Sequence, residues 1–306
     1  MAAGARSFVR SWAQRLHTPL TRSTNRSYSR AAQGEIPVKM TMLGKGLVVS
    51  SLSFLAIESY RWKYKHAVVH ASIKVEDIKE QADYLYNCGE TEKLHELLSQ
   101  FKNSEDPELL WRFARASRDL AHLSKTAPDV KKRLVYESRD LAKKALELNE
   151  SCSPAHKWYG ICLSDVGDYE GIKVKIGNSY IIRDHFQRAI ELNPKDATTI
   201  HLMGLWCYGF AELPWYQTKI AAALFASPPS STFEEALVYF EKAEEVDPNF
   251  YSKNLLYLGK TFLQLKNKEL ALHWLRKARD YLVRTEEDKE VHRDATDLLK
   301  TLGEKV

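Results

Sequence analysis

Closely spaced cysteines and long hydrophobic runs are both missing from this chain of 306 residues. The cysteines lie far apart without a CxxC pair, which excludes a disulfide scaffold and a zinc ribbon and predicts reduced, buried thiols. They are Cys88, Cys152, Cys162 and Cys207. The mean hydropathy of −0.42 excludes a polytopic membrane protein. A content of 44% hydrophobic and 11% aromatic residues instead indicates a well-packed soluble chain of one or two domains.

Catalytic and metal-binding signatures are missing as well. The motifs GxGxxG, GxxxxGK[ST], HExxH and GxSxG do not occur, so we predict no enzyme, no cofactor and no metal site. The pattern nearest to a metal site is SDVGDYEG, with Asp165, Asp168 and Glu170. These carboxylates are too few for a calcium loop, and the two glycines beside them indicate a tight turn.

Acidic residues do not occur before Glu35, although the first thirty positions hold six arginines. Without these six, 39 of the 45 basic residues remain against 40 acidic ones, so the net charge of +5 does not predict nucleic-acid binding. An acid-free, amphipathic segment rich in Arg and Ser is typical of a mitochondrial presequence. We therefore predict that residues 1–30 are disordered and direct the chain to mitochondria, with cleavage between Tyr28 and Ser29. The alternative is a basic tail that binds anionic surfaces or tubulin.

The next segments predict a linker at 31–45 and, at 46–74, a helix that is first apolar and then basic. The apolar part, GLVVSSLSFLAI, has twelve residues, whereas a transmembrane helix needs ~20. A core or interfacial helix is therefore favoured over a short anchor held by snorkelling basic residues. Membrane contact through 46–65 stays open.

A helix-pair pattern recurs through residues 75–306. Its last copy matches the tetratricopeptide spacing without a gap, with Gly259 in the first helix and Leu275 in the second. Because strand signals are absent, the sequence predicts an all-α, tetratricopeptide-like helical-repeat solenoid of about five helix pairs. A C-terminal capping helix follows, in which Thr285 and Asp288 form a capping box. The units lie near 75–104, 108–150, 155–194, 197–248 and 252–283, with the cap at 285–303.

Several strings are far more specific than this general pattern. They include ADYLYNCGETEKL, ELLWRFARASRD, HKWYGICLSDVGDYEGIK and VDPNFYSKNLLYLGKT. Over residues 43–306 the chain resembles the regulator of microtubule dynamics family, above all its short member with a presequence-like N-terminus. The resemblance implies a tetratricopeptide-like body that associates with microtubules in the cytoplasm, cytoskeleton and spindle poles, and also with mitochondria. A longer relative tethers the outer mitochondrial membrane to the endoplasmic reticulum and binds phospholipid.

The concave face of a repeat array is the surface best suited to binding a partner. In tetratricopeptide units it is formed by positions 2, 5, 9 and 12 of the first helix. The alignment places there Arg112, His156, Tyr159, Thr198, His201, Tyr208, Lys253 and Lys260. This mixture of basic and aromatic groups could hold an acidic peptide or a lipid headgroup. A merely solvated groove is the alternative.

An insertion at 213–231 concentrates apolar area that a minimal repeat does not need. It contains Trp215, Tyr216, Ile220, Leu224 and Phe225. One interpretation is an extra helix that packs across the groove and ends at Pro228. The other is a lid over an apolar cavity that accepts an acyl chain.

These patterns predict a non-enzymatic helical-repeat interaction protein that needs no cofactor. Its partner is a protein, by resemblance tubulin or microtubules. The alternative function is a phospholipid-binding or transfer module of mitochondria, which would use the repeat groove and the 213–231 insertion.

Overall fold

A computed structural model describes residues 75–214, 219, 221–223, 225 and 228–304. Several predictions fall outside them: the presequence with its cleavage between Tyr28 and Ser29, the 46–74 helix and most of the apolar insertion. The insertion residues concerned are Trp215, Tyr216, Ile220 and Leu224. Within the described ranges every regular element is helical. None of these helices is long and apolar enough to cross a bilayer.

The helices form five successive pairs and a single last helix. Their bounds are α1, described over 75–87, α2 Thr91–Ser99, α3 Pro107–His122, α4 Pro128–Leu148, α5 Ser153–Glu170, α6 Ile172–Leu192, α7 Ala197–Ala211, α8 Phe233–Val246, α9 Ser252–Gln264, α10 Lys268–Arg279 and α11 Glu286–Thr301. The second helix of each pair also packs on the first helix of the next, and α11 packs on α9 and α10. The described chain is therefore an all-α helical-repeat solenoid with a C-terminal capping helix, as predicted.

Local sequence signals set where these helices begin. The Asp106 carboxylate accepts a hydrogen bond from the Glu108 backbone N–H, and Pro107 occupies the first position of α3, where a missing N–H is harmless. At the start of α11, the side chains of Thr285 and Asp288 each accept a hydrogen bond from the other residue's backbone N–H. The predicted capping box is thereby confirmed.

Three glycines let the helices of a pair approach closely. Each is the eighth residue of its helix: Gly160 in α5, Gly204 in α7 and Gly259 in α9. A Cβ atom at Gly160 would lie 2.6 Å from the Phe186 ring, and one at Gly204 would lie 2.6 Å from the Phe240 ring. A leucine of α10 fills the same place in the last pair. The larger residue on the second helix thus occupies the volume that a side chain on the first helix would need.

The prediction of a tight turn in SDVGDYEG is wrong at Gly167, which lies inside α5, and is confirmed at Gly171. Helix α5 continues to Glu170, and the break comes at Gly171, whose φ of +86° is readily adopted only by glycine. Helix α6 begins at the next residue. The residues that the repeat alignment treats as an insertion therefore lengthen α5 to 18 and α6 to 21 residues.

A continuous apolar core runs along the solenoid. The largest cluster joins side chains from α1 to α10, among them the buried rings of Phe113 and Phe186. A second cluster, which includes Val291, lies under α11. Three of the four cysteines are buried, but Cys88 is exposed in the turn after α1, so the prediction of buried thiols is wrong for Cys88.

Candidate functional site

Polar side chains join the first helices of consecutive pairs from α1 to α11. We call this set the polar ladder. Its rungs are Arg112 with Asp83, Arg118 with Asp165, Lys157 with Asp196, His201 with Asn254, Lys253 with Glu287, and Lys260 with Asp294. Four residues predicted to bind a partner are rungs of this ladder: Arg112, His201, Lys253 and Lys260. Their polar atoms contact a neighbouring helix, and their binding to a partner stays a prediction.

The rung of Arg112 is bidentate. Its Nε and Nη2 atoms donate to the two carboxylate oxygens of Asp83 at 3.0 and 2.7 Å, while Nη1 donates to Glu108 at 2.8 Å. Arg115, one turn further along α3, donates to Asp83 at 3.2 Å and stacks on the Tyr86 ring at 3.5 Å. The arginines of α3 therefore tie this helix to α1.

The rung between α3 and α5 is the most deeply buried of the ion-pair rungs. Arg118 Nε donates to Asp165 Oδ2 at 2.7 Å, and both side chains are only 1% exposed. Burial raises the pKa of the adjacent Asp119 to about 6, although Arg118 and Arg115 oppose this shift. Removing one partner of such a pair would leave an uncompensated charge in the interior, so this rung has a structural role.

The rung between α5 and α7 doubles as a helix cap. Lys157 Nζ lies 2.7 Å from Asp196, whose carboxylate also accepts from the backbone N–H groups of Thr198 and Thr199. Although burial alone would raise the pKa of Asp196, the ion pair with Lys157 and the hydrogen bonds from Thr199 hold that pKa below its usual value. The carboxylate is thus kept ionised at the N-terminus of α7, where negative charge is stabilised.

His201 belongs to the core. Its Nδ1 donates to the Asn254 side-chain oxygen at 2.9 Å, while the Asn254 amide donates to the Phe240 carbonyl at 3.1 Å and so fixes the orientation of that amide. Burial lowers the pKa of His201 to about 3. The rings of Tyr251 and Tyr257 pack edge-on against the imidazole. His201 is therefore a neutral, inaccessible group rather than a ligand-binding one.

Two of the predicted concave residues, His156 and Tyr159, contact a histidine of α6. His156 Nε2 donates to the Glu150 carbonyl at 2.8 Å, so its Nδ1 accepts from His185 Nδ1 at 2.8 Å. Tyr159 packs edge-on against His185 at 4.7 Å between ring centroids. Burial, assisted by His156, lowers the pKa of His185 to about 4.

The positions of His156 and Tyr159 differ from the prediction because the repeat alignment starts this unit at the wrong residue. The sequence alignment begins this unit at residue 155, whereas α5 begins at Ser153 and has its close-contact glycine, Gly160, in the eighth position. His156 and Tyr159 are thus two positions later in the helix than the alignment assumes. Matching Gly160 to the glycines of the following two units would have given the correct register.

The last two predicted residues have different surroundings. Tyr208 is buried between the rings of Phe233 and Tyr257, so it does not line an open surface, which corrects that prediction. Thr198 is half-buried and lines a large cavity. Of the eight predicted concave residues, Thr198 alone contributes to the wall of that cavity.

A cavity of about 960 Å³, which we call the terminal cavity, separates the first pair from the last helices. One wall is the turn at 87–89, after α1; the others come from the α8–α9 turn, the last turns of α10 and the α10–α11 loop. The charged and large apolar or aromatic lining residues are Asp247, Phe250, Tyr251, His273, Arg276, Lys277, Asp280, Tyr281, Leu282, Arg284, Glu287 and Asp288. This volume lies at the upper end of the range for small-molecule sites.

Neighbouring groups already bind most of the carboxylates of the terminal cavity. Glu287 accepts from Lys253 at 2.8 Å and from the Tyr251 hydroxyl at 2.7 Å, and Asp288 belongs to the capping box of α11. Asp280 pairs with Arg279 at 2.7 Å. In contrast, the cations Lys277 and Arg284 form no ion pair within the part of the chain that the structure describes. In the sequence, the basic string RKAR at the end of α10 could have indicated positive charge in this wall. The repeat alignment does not use it, because it considers the first helix of each unit only.

A second cavity, of about 620 Å³, lies between α6 and α8. Met203 and Trp206 of α7 and Tyr239 of α8 supply its apolar side chains. Its two arginines each pair with a carboxylate of the same wall, Arg183 with Asp184 at 2.9 Å and Arg188 with Glu191 at 3.0 Å. The end of the 213–231 insertion also lines it. Phe225, the described member of the predicted lid set, packs against Tyr180 of α6 at 6.3 Å between ring centroids.

The acidic residues of SDVGDYEG do not converge on a metal site. Asp165 pairs with Arg118, Asp168 with Lys175, and Glu170 accepts from the Tyr136 hydroxyl at 2.6 Å. In the described ranges, no group of three His, Cys, Asp or Glu side chains could hold a metal ion.

Comparison with known proteins assigns most of the chain to a family. Residues 78–303 match the model for regulator of microtubule dynamics protein 1-3. Regulator of microtubule dynamics protein 1 of Mus musculus is 66% identical over 258 residues, which cover 84% of this chain and 85% of that protein. The protein 1 of Pongo abelii is 65% identical over 261 residues, covering 85% and 83% of the two chains.

More distant similarities agree with the fold. Regulator of microtubule dynamics protein 3 of Xenopus laevis is 33% identical over 230 residues, which cover 74% of this chain and 49% of that protein. A crystal structure of a thermophilic TPR protein from Thermus thermophilus superposes with a TM-score of 0.51 at 16% identity, covering 73% of this chain and 98% of that one. At this identity the superposition supports the helical-repeat fold alone.

Proposed function

Because this chain belongs to the regulator of microtubule dynamics protein 1-3 family, we propose that it is a non-enzymatic helical-repeat protein that regulates microtubules by binding a protein partner, tubulin. The observation that carries the proposal is the terminal cavity, an open recess of about 960 Å³ held between helices that the polar ladder fixes relative to one another. A preformed recess on a rigid scaffold lowers the entropic cost of binding.

The test of this proposal is co-sedimentation of the purified full-length chain with stabilised microtubules, with actin filaments as a matched acidic polymer. We expect the chain to pellet with microtubules and much less with actin, and to change the growth or catastrophe rate of dynamic microtubules. A chain that stays in the supernatant and leaves both rates unchanged would contradict direct regulation of microtubules.

We propose further that a pool of the protein is directed to mitochondria by residues 1–30. The arginine-rich, acid-free composition of that segment supports this proposal. The test is N-terminal sequencing of the protein from purified mitochondria, combined with protease protection before and after rupture of the outer membrane. A protected chain that begins near Ser29 is expected. A full-length, protease-sensitive chain would show instead that the basic segment faces the cytosol.

Binding or transfer of a phospholipid is the second candidate function, and the cavity between α6 and α8 is the observation that favours it. An acyl chain would lie on Met203 and Trp206, and the phosphate would bind Arg183 or Arg188 by displacing the carboxylate with which that arginine now pairs. Native mass spectrometry of the protein after incubation with anionic phospholipid tests this function. A bound lipid that is lost when residues 214–229 are deleted is the expected result. Equal lipid recovery from the deletion variant would refute the role of the insertion as a lid.

A further inference from the structure

We propose that the terminal cavity binds an extended acidic peptide segment that carries one large apolar side chain. The inference deepens the proposed function, on which it rests, because that function requires a protein partner. It assigns the recognition chemistry to the end of α10 and the α10–α11 loop, in place of the first-helix positions that the repeat pattern predicts.

Charge complementarity supports an acidic ligand. Lys277 is held over the Trp274 ring at 4.6 Å, so its ammonium group has a defined place in the cavity wall. The backbone N–H of Arg284 donates to Asp288 at 3.0 Å, which anchors the main chain of this exposed arginine. Both cations are available to a ligand. The wall also holds four carboxylates, Asp247, Asp280, Glu287 and Asp288, of which the last three already accept from other groups. Carboxylates of a peptide would therefore meet positive charge that is not already neutralised.

The same loop presents apolar area to the cavity. Leu282 lines it and is 65% exposed, the neighbouring Val283 is 40% exposed, and Tyr281 is half-buried. Large apolar side chains that are exposed next to each other and rimmed by charged residues are typical of interaction surfaces. A peptide with an apolar side chain among its acids would cover Leu282, whereas a purely acidic segment would leave it in water.

Other occupants fit this cavity less well. Leu282 is the one large aliphatic side chain of the lining and charged residues occupy several of its walls, so an acyl chain would lack the continuous aliphatic surface that drives lipid binding. The chain's own first thirty residues hold six arginines and no acid, so they offer no carboxylate to Lys277 and Arg284. An acidic peptide from a partner protein is the occupant that the charges and the exposed leucine both favour.

The experiment measures fluorescence anisotropy of a labelled glutamate-rich peptide that contains one leucine, titrated with the full-length protein. A peptide with glutamine at every glutamate position is the control ligand. The key variant is Lys277→Glu with Arg284→Glu, and the matched control is Lys173→Glu with Lys195→Glu, two exposed lysines outside the cavity. Circular dichroism verifies that each variant is folded.

We expect the glutamate peptide to bind and the glutamine peptide not to bind, and we expect the cavity variant to weaken binding at least ~10-fold while the matched control changes it little. Leu282→Ser should weaken binding without changing its salt dependence. Asp280→Asn should strengthen it, because this substitution removes a negative charge from the cavity wall. Equal binding by the cavity variant and its control, or preference for anionic phospholipid vesicles over the peptide, would overturn the proposal.

The same variants separate this inference from the proposed function. If wild type and the cavity variant pellet equally with microtubules, regulation of microtubules stands and the cavity is not the site. If the wild-type chain does not pellet but binds the glutamate peptide through Lys277 and Arg284, the peptide site stands and the partner is not the microtubule. Self-association that is lost in the cavity variant would identify a second copy as the occupant and overturn the inference.

Discussion

The substitution Gly204→Ala should destabilise the protein although it places a better helix former in α7. The new Cβ atom would lie 2.6 and 2.7 Å from two ring atoms of Phe240, which is completely buried against His201 and Tyr257 and has no free space to move into. Forcing a methyl group into a packed core costs ~1–3 kcal/mol, whereas replacing a helical glycine by alanine gains ~1 kcal/mol. We expect a net loss of up to ~2 kcal/mol.

Gly177→Ala is the matched control. Gly177 lies inside α6, and a Cβ atom there would meet nothing within 4 Å. The same chemical change should therefore stabilise the protein by ~0.5–1 kcal/mol. Urea unfolding followed by circular dichroism, with the m-value checked for each variant, measures both effects. The two alanines should shift the urea midpoint in opposite directions.

A second variant tests the mechanism behind this difference. Replacing Phe240 by leucine removes the ring atoms that the new methyl group would touch, so Gly204→Ala should cost less in the Phe240→Leu background than in the wild type. If Gly204→Ala stabilises the protein as Gly177→Ala does, or if its cost is unchanged in the Phe240→Leu background, the close-contact explanation is refuted.

Three further predictions follow from buried groups. The pKa of His201 is about 3 in the folded protein and ordinarily ~6.5 in the unfolded chain. The contribution of neutral His201 to the free energy of unfolding is therefore complete above pH ~6.5. It decreases by up to ~1.4 kcal/mol per pH unit as the pH falls from ~6.5 towards 3, because only the unfolded chain binds the proton. Urea unfolding as a function of pH should show a shallower acid loss for His201→Gln, whereas Asp119, whose raised pKa acts in the opposite sense, is common to both proteins. Asp165→Leu should cost ~3–5 kcal/mol by leaving the Arg118 charge buried, and adding Arg118→Met should recover most of that loss; similar stability of the single and double variants would contradict this expectation. A thiol reagent should modify Cys88 alone in the native protein, because the other three cysteines are buried with pKa values raised to 11 or above, and a count of more than one thiol before unfolding would be inconsistent with this structure.

The fold could be predicted because its determinants are local. The small residue at Gly259, the large one at Leu275 and the capping box at Thr285 all act within one helix pair or one helix turn, so their spacing is visible in the sequence. The register of the unit with Gly160 was misjudged because its helices are longer and no loop marks the difference. Extra turns of helix preserve the apolar pattern and therefore give no signal of an insertion.

The candidate site was harder to predict because its contacts are distant in sequence. Arg112 meets a carboxylate 29 residues away, and His201 meets an amide 53 residues away. Which polar residues pair depends on how one helix pair is rotated against the next, and repeat spacing does not encode that rotation. The terminal cavity depends on the same rotation, accumulated over five pairs, so neither Lys277 nor Arg284 could be recognised as part of its wall.

The polar ladder makes each repeat specific to its neighbours. Its junctions use different chemistry: arginine with aspartate between α3 and α5, lysine with a capping aspartate between α5 and α7, and histidine with asparagine between α7 and α9. Excising the α7–α8 pair with the loop before it, for example, would remove the partners of both Lys157 and Asn254 and leave two polar side chains unmatched at the new junction. Consensus repeat arrays can be shortened or shuffled because their units are interchangeable. In this solenoid the polar pairs differ between the junctions of α3 with α5, α5 with α7 and α7 with α9, so these pairs favour one order and one number of repeats.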